Sequence, residues 1–179
     1  MIRYIALLRG INISGKNKIS MSELKISFEE LNFIDVKTHF NSGNVIFYSE
    51  IKNKEELILK IKIMIKDKFN LDIPTIVITK EELKEFFDNA PDWWNNDNKE
   101  IYDNIIFIIP PTKYEEVYSE IGDAKEEYEK IKNYKDVIYW SFNLKDYSKT
   151  NWIKTASSKI NDEVTIRTAN TMKKILELS

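Results

Sequence analysis

At 179 residues the chain can hold one ordinary domain or two small ones, and its 42% hydrophobic content is enough for packed cores. Its 27 basic and 29 acidic residues leave a net charge of -2 and are interspersed, which excludes a polybasic footprint for nucleic acid or a membrane surface. There is no cysteine, so disulfides, thiolate metal sites and cysteine nucleophiles are excluded and a reducing cytosol is the expected home.

Residues 4–8 form a short apolar run ended by Arg9 and Gly10, the pattern of a strand buried on both faces and too brief for a secretory leader or a membrane span. Ser20 and Glu23 stand at capping-box spacing, so a helix is predicted from Met21, with Leu24, Phe28 and Leu31 as its buried stripe. Val36, Thr38 and Phe40 then alternate with polar residues, Ser42, Gly43 and Asn44 supply a turn, and residues 45–48 return as the second arm of a hairpin. Residues 53–69 satisfy both a period of two and a helical stripe; their length and the N-cap Asn53 with Glu55 and Glu56 behind it decide for helix. Pro74 opens a strand over 75–78. The order βαββαβ is a ferredoxin-like unit, with two right-handed crossovers placing both helices on one face of an antiparallel sheet.

Thr79 and Glu82 predict a further capped helix to about Phe87, followed by the proline- and asparagine-rich stretch NAPDWWNNDNKE. The expected division is therefore a first subdomain over 1–79, a connecting helix and linker over 80–103, and a second subdomain over 104–179, with Trp93 and Trp94 plugging the seam. In the second half, residues 105–109 read as a buried strand and Thr112 with Glu115 as the cap of a helix ending near Gly122. Residues 126–132 are charged and favour helix by propensity, yet a second βαββαβ unit needs a strand there, turning back near Asn133 and Tyr134; residues 137–142 read as the next strand, 148–157 as a helix, 164–167 as a strand and 170–178 as a final helix. The fold class is α+β, a tandem of two ferredoxin-like βαββαβ subdomains with antiparallel sheets and an extra C-terminal helix.

The stretch GINISGKNK, residues 10–18, matches a P-loop until its last position, where Asn17 replaces the magnesium-binding hydroxyl. A P-loop also needs its helix to begin at the Gly-Lys pair; here the capping box delays it past Ser20, so nucleotide phosphate chemistry is rejected. The antiparallel pairing of the first and third strands still brings two polar loops to one sheet edge, with Arg9, Asn12, Lys16, Asn17 and Lys18 from one and Ser42, Gly43 and Asn44 from the other. Either this cluster binds a carboxylate or phosphate, or its side chains only bond each other and the loop backbone. A secondary anion site is drawn at Arg167, Thr168, Asn170 and Thr171, at the start of the last helix, where the competing reading is simple capping. His39 falls on the polar face of its strand with no nucleophile beside it, and neither zinc nor calcium has a ligand motif.

Taken together, YIALLRGINISGKNKISMSEL and THFNSGNVIF resemble the bacterial family called domain of unknown function 1697. The family's ALLRGIN opening, its glycine, NK pair and methionine fall on residues 6–12, Gly15, Asn17, Lys18 and Met21, and its SGN hairpin on Ser42, Gly43 and Asn44. Its C-terminal TTRNWNT pattern is met in part, by Thr165, Arg167, Asn170 and Thr171, with Thr168 and Ala169 where Asn and Trp are usual. The resemblance implies a tandem of ferredoxin-like halves and no established activity. The expected function is accordingly a cytoplasmic binding module for a small anionic ligand or a peptide end, with no cofactor and no catalysis. The alternatives are an enzyme of unknown reaction class using the same loops with His39 as base, or single-stranded nucleic-acid binding through a sheet face. The last is disfavoured because SGNVIFYS lacks the basic and aromatic spacing of an RNA-binding strand.

Overall fold

A computed structural model of the chain describes residues 1–96 and 98–179; Asp97, in the expected linker, lies outside the described residues. Two compact units emerge, Met1–Lys84 with Ile175–Ser179, and Glu85–Lys174.

In the first unit β1 (Ile2–Leu8), β2 (Ile34–His39), β3 (Asn44–Ser49) and β4 (Thr75–Thr79) form an antiparallel sheet in the order β2-β3-β1-β4. The alternation of β1 splits its side chains: Tyr4, Ala6 and Leu8 join Val45 and Phe47 of β3 and Val77 of β4 in one core, while Ile5 and Leu7 are buried on the other face. Over that core lie α1 (Met21–Glu30), through Leu24 and Phe28, and α2 (Lys54–Phe69), through Leu57, Ile61, Met64 and Ile65. Their caps are the predicted ones. Ser20 accepts the Glu23 amide, and the Asn53 carboxamide oxygen accepts Glu55 N (2.8 Å) and Glu56 N (3.1 Å), satisfying amides that have no partner inside the helix. In β2 the alternation is interrupted at Asp35, whose φ of 48° marks an irregularity between Ile34 and Lys37 that twists this edge strand.

A full capping box opens α3 (Lys80–Asp88): Thr79 Oγ1 accepts from Glu82 N (3.0 Å) and the Glu82 carboxylate accepts from Thr79 N (2.8 Å). Within the second unit Phe86 meets Phe107 edge to face, and Trp94 is buried against Phe87 and Tyr139 with its indole N–H on Asn104 O at 2.7 Å. Trp93 is half-buried. The sheet is β5 (Ile101–Ile108), β6 (Glu129–Tyr134), β7 (Val137–Asn143) and β8 (Val164–Thr168), ordered β6-β7-β5-β8, the same antiparallel arrangement as in the first unit. α4 (Tyr114–Ile121) follows β5, and α5 (Ala169–Leu178) follows β8. The fold is α+β, two ferredoxin-like subdomains in tandem with an added C-terminal helix.

Three local expectations are corrected. The cap of α4 lies one residue later than Thr112: Lys113 N donates to the Glu116 carboxylate (2.9 Å), while the Thr112 hydroxyl donates to Glu163 (2.7 Å). β6 begins at Glu129 and turns at Lys135, not near Asn133, because Asn133 Nδ2 reaches past the turn to the carbonyls of Lys135 and Val137, stretching the strand by two positions. The predicted helix over 148–157 is a chain of 3-10 turns, Leu144–Lys149, Trp152–Ala156 and Lys159–Glu163. Here Thr150 and Thr155 donate their hydroxyls to the carbonyls three residues back and Asn143 accepts the Lys145 amide, so side chains compete with the α-helical ladder.

Candidate functional site

The loop leaving β1 is pinned at its first two residues. Leu8 N donates to Gly43 O (2.8 Å) in the β2–β3 hairpin, and Arg9 N donates to Pro74 O (2.9 Å) at the entry to β4. With Leu7 opposite Asn44 in the β1–β3 ladder, the two polar loops do converge on one end of the sheet. Between them the chain makes a tight excursion: Asn12 N donates to Asn17 O (3.1 Å), Lys16 N to Ile13 O (2.9 Å), and positive φ angles occur at Gly10, Asn12, Ser14, Gly15 and Asn17. Asparagine and glycine are the residue types for which that conformation is least costly.

The asparagines are spent on this geometry. Asn12 Oδ1 accepts Ile19 N (2.8 Å) while its Nδ2 donates to Ile19 O (2.9 Å) and, across to the hairpin, to Asn41 O (3.1 Å). Asn17 Nδ2 closes the loop on Gly10 O at 3.0 Å. Asn44, wholly buried, donates to His39 O (3.0 Å) and to the Ser42 hydroxyl (2.9 Å). Asn12, Asn17, Ser42 and Asn44 therefore form a frame that fixes both loops and locks one to the other. Lys16 and Lys18 stand exposed on that frame and join none of the ion pairs among the described residues; Arg9 is half-buried beside it. The frame is built from residues 9–22 and 36–49, and neither segment contains an aspartate or glutamate, although the chain is acidic overall. His39 is half-buried, with its ring 4.0 Å from that of Phe40.

The secondary site divides. Thr168 and Asn170 line a cavity of about 690 Å³ in the second unit, together with Asn95, Asn96, Lys99 and Lys173. The Thr168 hydroxyl caps α5 by accepting Thr171 N (3.2 Å) and is also bonded to the Thr171 hydroxyl. Arg167 and Thr171 are not among the cavity's lining residues. Arg167 is buried, with Nη1 on Thr165 Oγ1 (2.8 Å) and Ile166 O (2.9 Å), and burial pushes its pKa down to about 10. Asp103, which the sequence reading overlooked, also lines the cavity. Its carboxylate takes the Ser141 hydroxyl and the amides of Asn95 and Asn96, but burial is the larger effect and holds its pKa above the usual range. Because the fold favours the protonated acid, this group's stabilising contribution is complete below the usual aspartate pKa and is lost as pH rises through the raised value. Melting Asp103→Asn and the wild type in parallel from pH 4 to pH 7 will show the variant gaining on the wild type as pH rises; a constant difference would refute this.

The antiparallel β2-β3-β1-β4 arrangement with its framed loop end defines a ferredoxin-like tandem protein carrying a fixed polar rim. The chain belongs to the family described as protein of unknown function (DUF1697), whose model matches residues 1–139. Among solved structures it is similar to that of the conserved bacterial protein SP0830 from Streptococcus pneumoniae, with 28% identity over 99% of this chain and 98% of that one and a TM-score of 0.86. No curated protein matches. Neither similarity carries a specific function. No helix among the described residues is long and apolar enough to cross a membrane.

Proposed function

We propose that this chain is a cytosolic binding module that holds an anionic group, from a small ligand or a peptide end, where residues 9–20 meet the β2–β3 hairpin. The supporting observation is the carboxylate-free pair of segments carrying Arg9, Lys16 and Lys18 on a frame bonded internally by Asn12, Asn17, Ser42 and Asn44. In this reading the residues divide their labour. The three cations supply charge-assisted hydrogen bonds to the anion, and the asparagines, with Gly43, fix where those cations start from, which lowers the entropy lost on binding. Binding is the whole function in this proposal, with no turnover and no cofactor; the absence of cysteine supports the cytosolic placement. The Thr168 and Asn170 cavity, flanked by Lys99 and Lys173, is the second place where an anion could be held.

The test is thermal stabilisation by inorganic phosphate, and by short peptides with a free or an amidated C-terminus. The double variant Lys16→Ala, Lys18→Ala will bind these anions about tenfold more weakly, as loss of one charge-assisted bond's net energy requires. Its melting temperature without anion will stay within about 1 °C of the wild type, because both side chains are exposed and outside the frame. Equal stabilisation of variant and wild type by phosphate and by the free-carboxylate peptide would refute the site. Retention of the effect in that variant, with loss in Lys99→Ala, Lys173→Ala, would move it to the second unit.

A further inference from the structure

Phe40 has a φ of 55° and is 64% exposed. A bulky side chain is rarely found in left-handed backbone, because its Cβ crowds the following carbonyl, and an exposed phenylalanine gains little from burial to offset that strain. Ile13, on the facing loop, is 58% exposed. Each is the direct chain neighbour of one end of the Asn12 Nδ2 to Asn41 O bond, so the two apolar groups are carried on one clamped platform. Other exposed apolar residues have a different setting: Ile63, with Leu31 and Met64, lines a groove of about 340 Å³ between α1 and α2 whose rim mixes Glu30 and Asp67 with Lys60 and Lys68. Around Ile13 and Phe40 the charged residues of the two segments are Arg9, Lys16, Lys18 and Lys37. Lys37 pairs with Asp35 at 3.2 Å, whereas Lys16 and Lys18 join none of the ion pairs among the described residues.

From this we infer that the loop end of the first unit docks a partner protein through an acidic segment bearing one large apolar side chain, which is covered by Ile13 and Phe40 while the flanking carboxylates meet Lys16, Lys18 and Arg9. The inference rests on the anion reading of the same end and adds the partner's chemistry to it. An apolar centre within a charged rim is the arrangement of a protein interface, where the anchor supplies affinity and the rim supplies orientation. Charge complementarity selects an acidic occupant. A single-stranded nucleic acid would want a row of rings along a basic groove, whereas here there is one ring, set against His39, on a chain of net charge -2. The rigid frame keeps the anchor in its binding position before the partner arrives.

The experiment uses the full chain and fluorescently labelled, C-terminally amidated peptides in which three glutamates flank each side of a central Phe, Leu, Ala or Lys, with inorganic phosphate as the simple anion. The Phe and Leu peptides will bind about tenfold more tightly than the Ala peptide, the gain expected from covering one large side chain. In Phe40→Asn that preference will vanish and the response to phosphate will remain. Because asparagine tolerates positive φ, the same variant will melt about 2–4 °C higher than the wild type, an increase that a purely structural role for Phe40 would reverse. Equal binding of the Phe and Ala peptides, no binding of either, or a preference retained in Phe40→Asn would overturn the docking proposal. The phosphate response of the lysine variant would still judge the anion reading by itself. Tighter, Phe40-dependent binding to oligothymidine or to phosphatidylserine vesicles than to any of the peptides would overturn the partner's class.

Discussion

Glu129→Ala will destabilise the second unit by about 3–5 kcal/mol, since each buried donor left unsatisfied costs about 1–3 kcal/mol and the packing of the side chain is lost as well. Glu129 is 3% exposed and its two oxygens accept four N–H groups: Lys125 N at 3.0 Å and Asn151 N at 2.6 Å on one, Trp140 Nε1 at 2.8 Å and Trp152 N at 3.2 Å on the other. One carboxylate thereby ties the turn before β6, the indole of β7 and the start of the second 3-10 segment together. Its removal leaves the buried Trp140 indole and Trp152 amide with nothing to bond, each costing its own desolvation, and strips the half-exposed Lys125 and Asn151 amides of their partner as well. Urea unfolding followed by tryptophan emission measures the effect directly, since Trp140 and Trp152 are both at this carboxylate. Glu129→Gln keeps the shape but turns an NH₂ group toward N–H donors, so it will recover less than half of the loss. Near wild-type stability in either variant would show that water replaces the carboxylate, and the hub would then be incidental.

Gly43→Ala will cost about 3 kcal/mol, combining roughly 1–2 kcal/mol for left-handed backbone at an L-residue with the strain of overpacking. Gly43 has a φ of 74°, and a Cβ there would lie 2.8 Å from Leu8 Cβ and 2.9 Å from Leu8 O. Leu8 cannot retreat, because it is fully buried in the core and its own amide is bonded to Gly43 O. The added methyl therefore pushes the hairpin off β1 and opens the Asn12 to Asn41 link above it. Besides a lower urea midpoint, amide exchange at Leu8 will accelerate; unchanged protection at that amide would mean the strain is absorbed elsewhere. On the proposed anion role of Lys16 and Lys18, phosphate binding will fall in the same variant, even though neither lysine has been altered.

The fold was legible where local rules and hydrophobic period agree. The β1 run, the Asn53 and Thr79 caps and the α2 stripe each follow from short-range chemistry, and their order leaves one common topology. Legibility failed where polar side chains rival the backbone ladder. Thr150, Thr155 and Asn143 bond to main chain around 144–156, so a segment of helical composition breaks into 3-10 turns, and distant partners, Glu129 together with the Ile121 and Asp123 carbonyls that accept from Asn151, fix where that segment sits. At the site, the convergence of residues 9–18 with 42–44 was readable from strand order, because antiparallel neighbours must bring those ends together. The division of roles was not. Composition cannot distinguish an asparagine that bonds a partner from one that bonds Ile19 and Asn41, and Phe40 looked like one more member of an alternating strand.

By itself the sequence determined the α+β tandem, the cationic and acid-free character of residues 9–22 and 36–49, and the unsuitability of GKN for a nucleotide phosphate, since these depend on residue type and spacing along the chain. Only the tertiary structure decided that Asn12 clamps two distant loops, that Arg167 is buried while Thr168 and Asn170 line a cavity, and that Phe40 points its ring at solvent from a left-handed backbone. Those outcomes turn on which backbone groups lie within about 3 Å of a side chain after the strands have paired, and hydrogen bonds of that range are set by the register of the whole sheet.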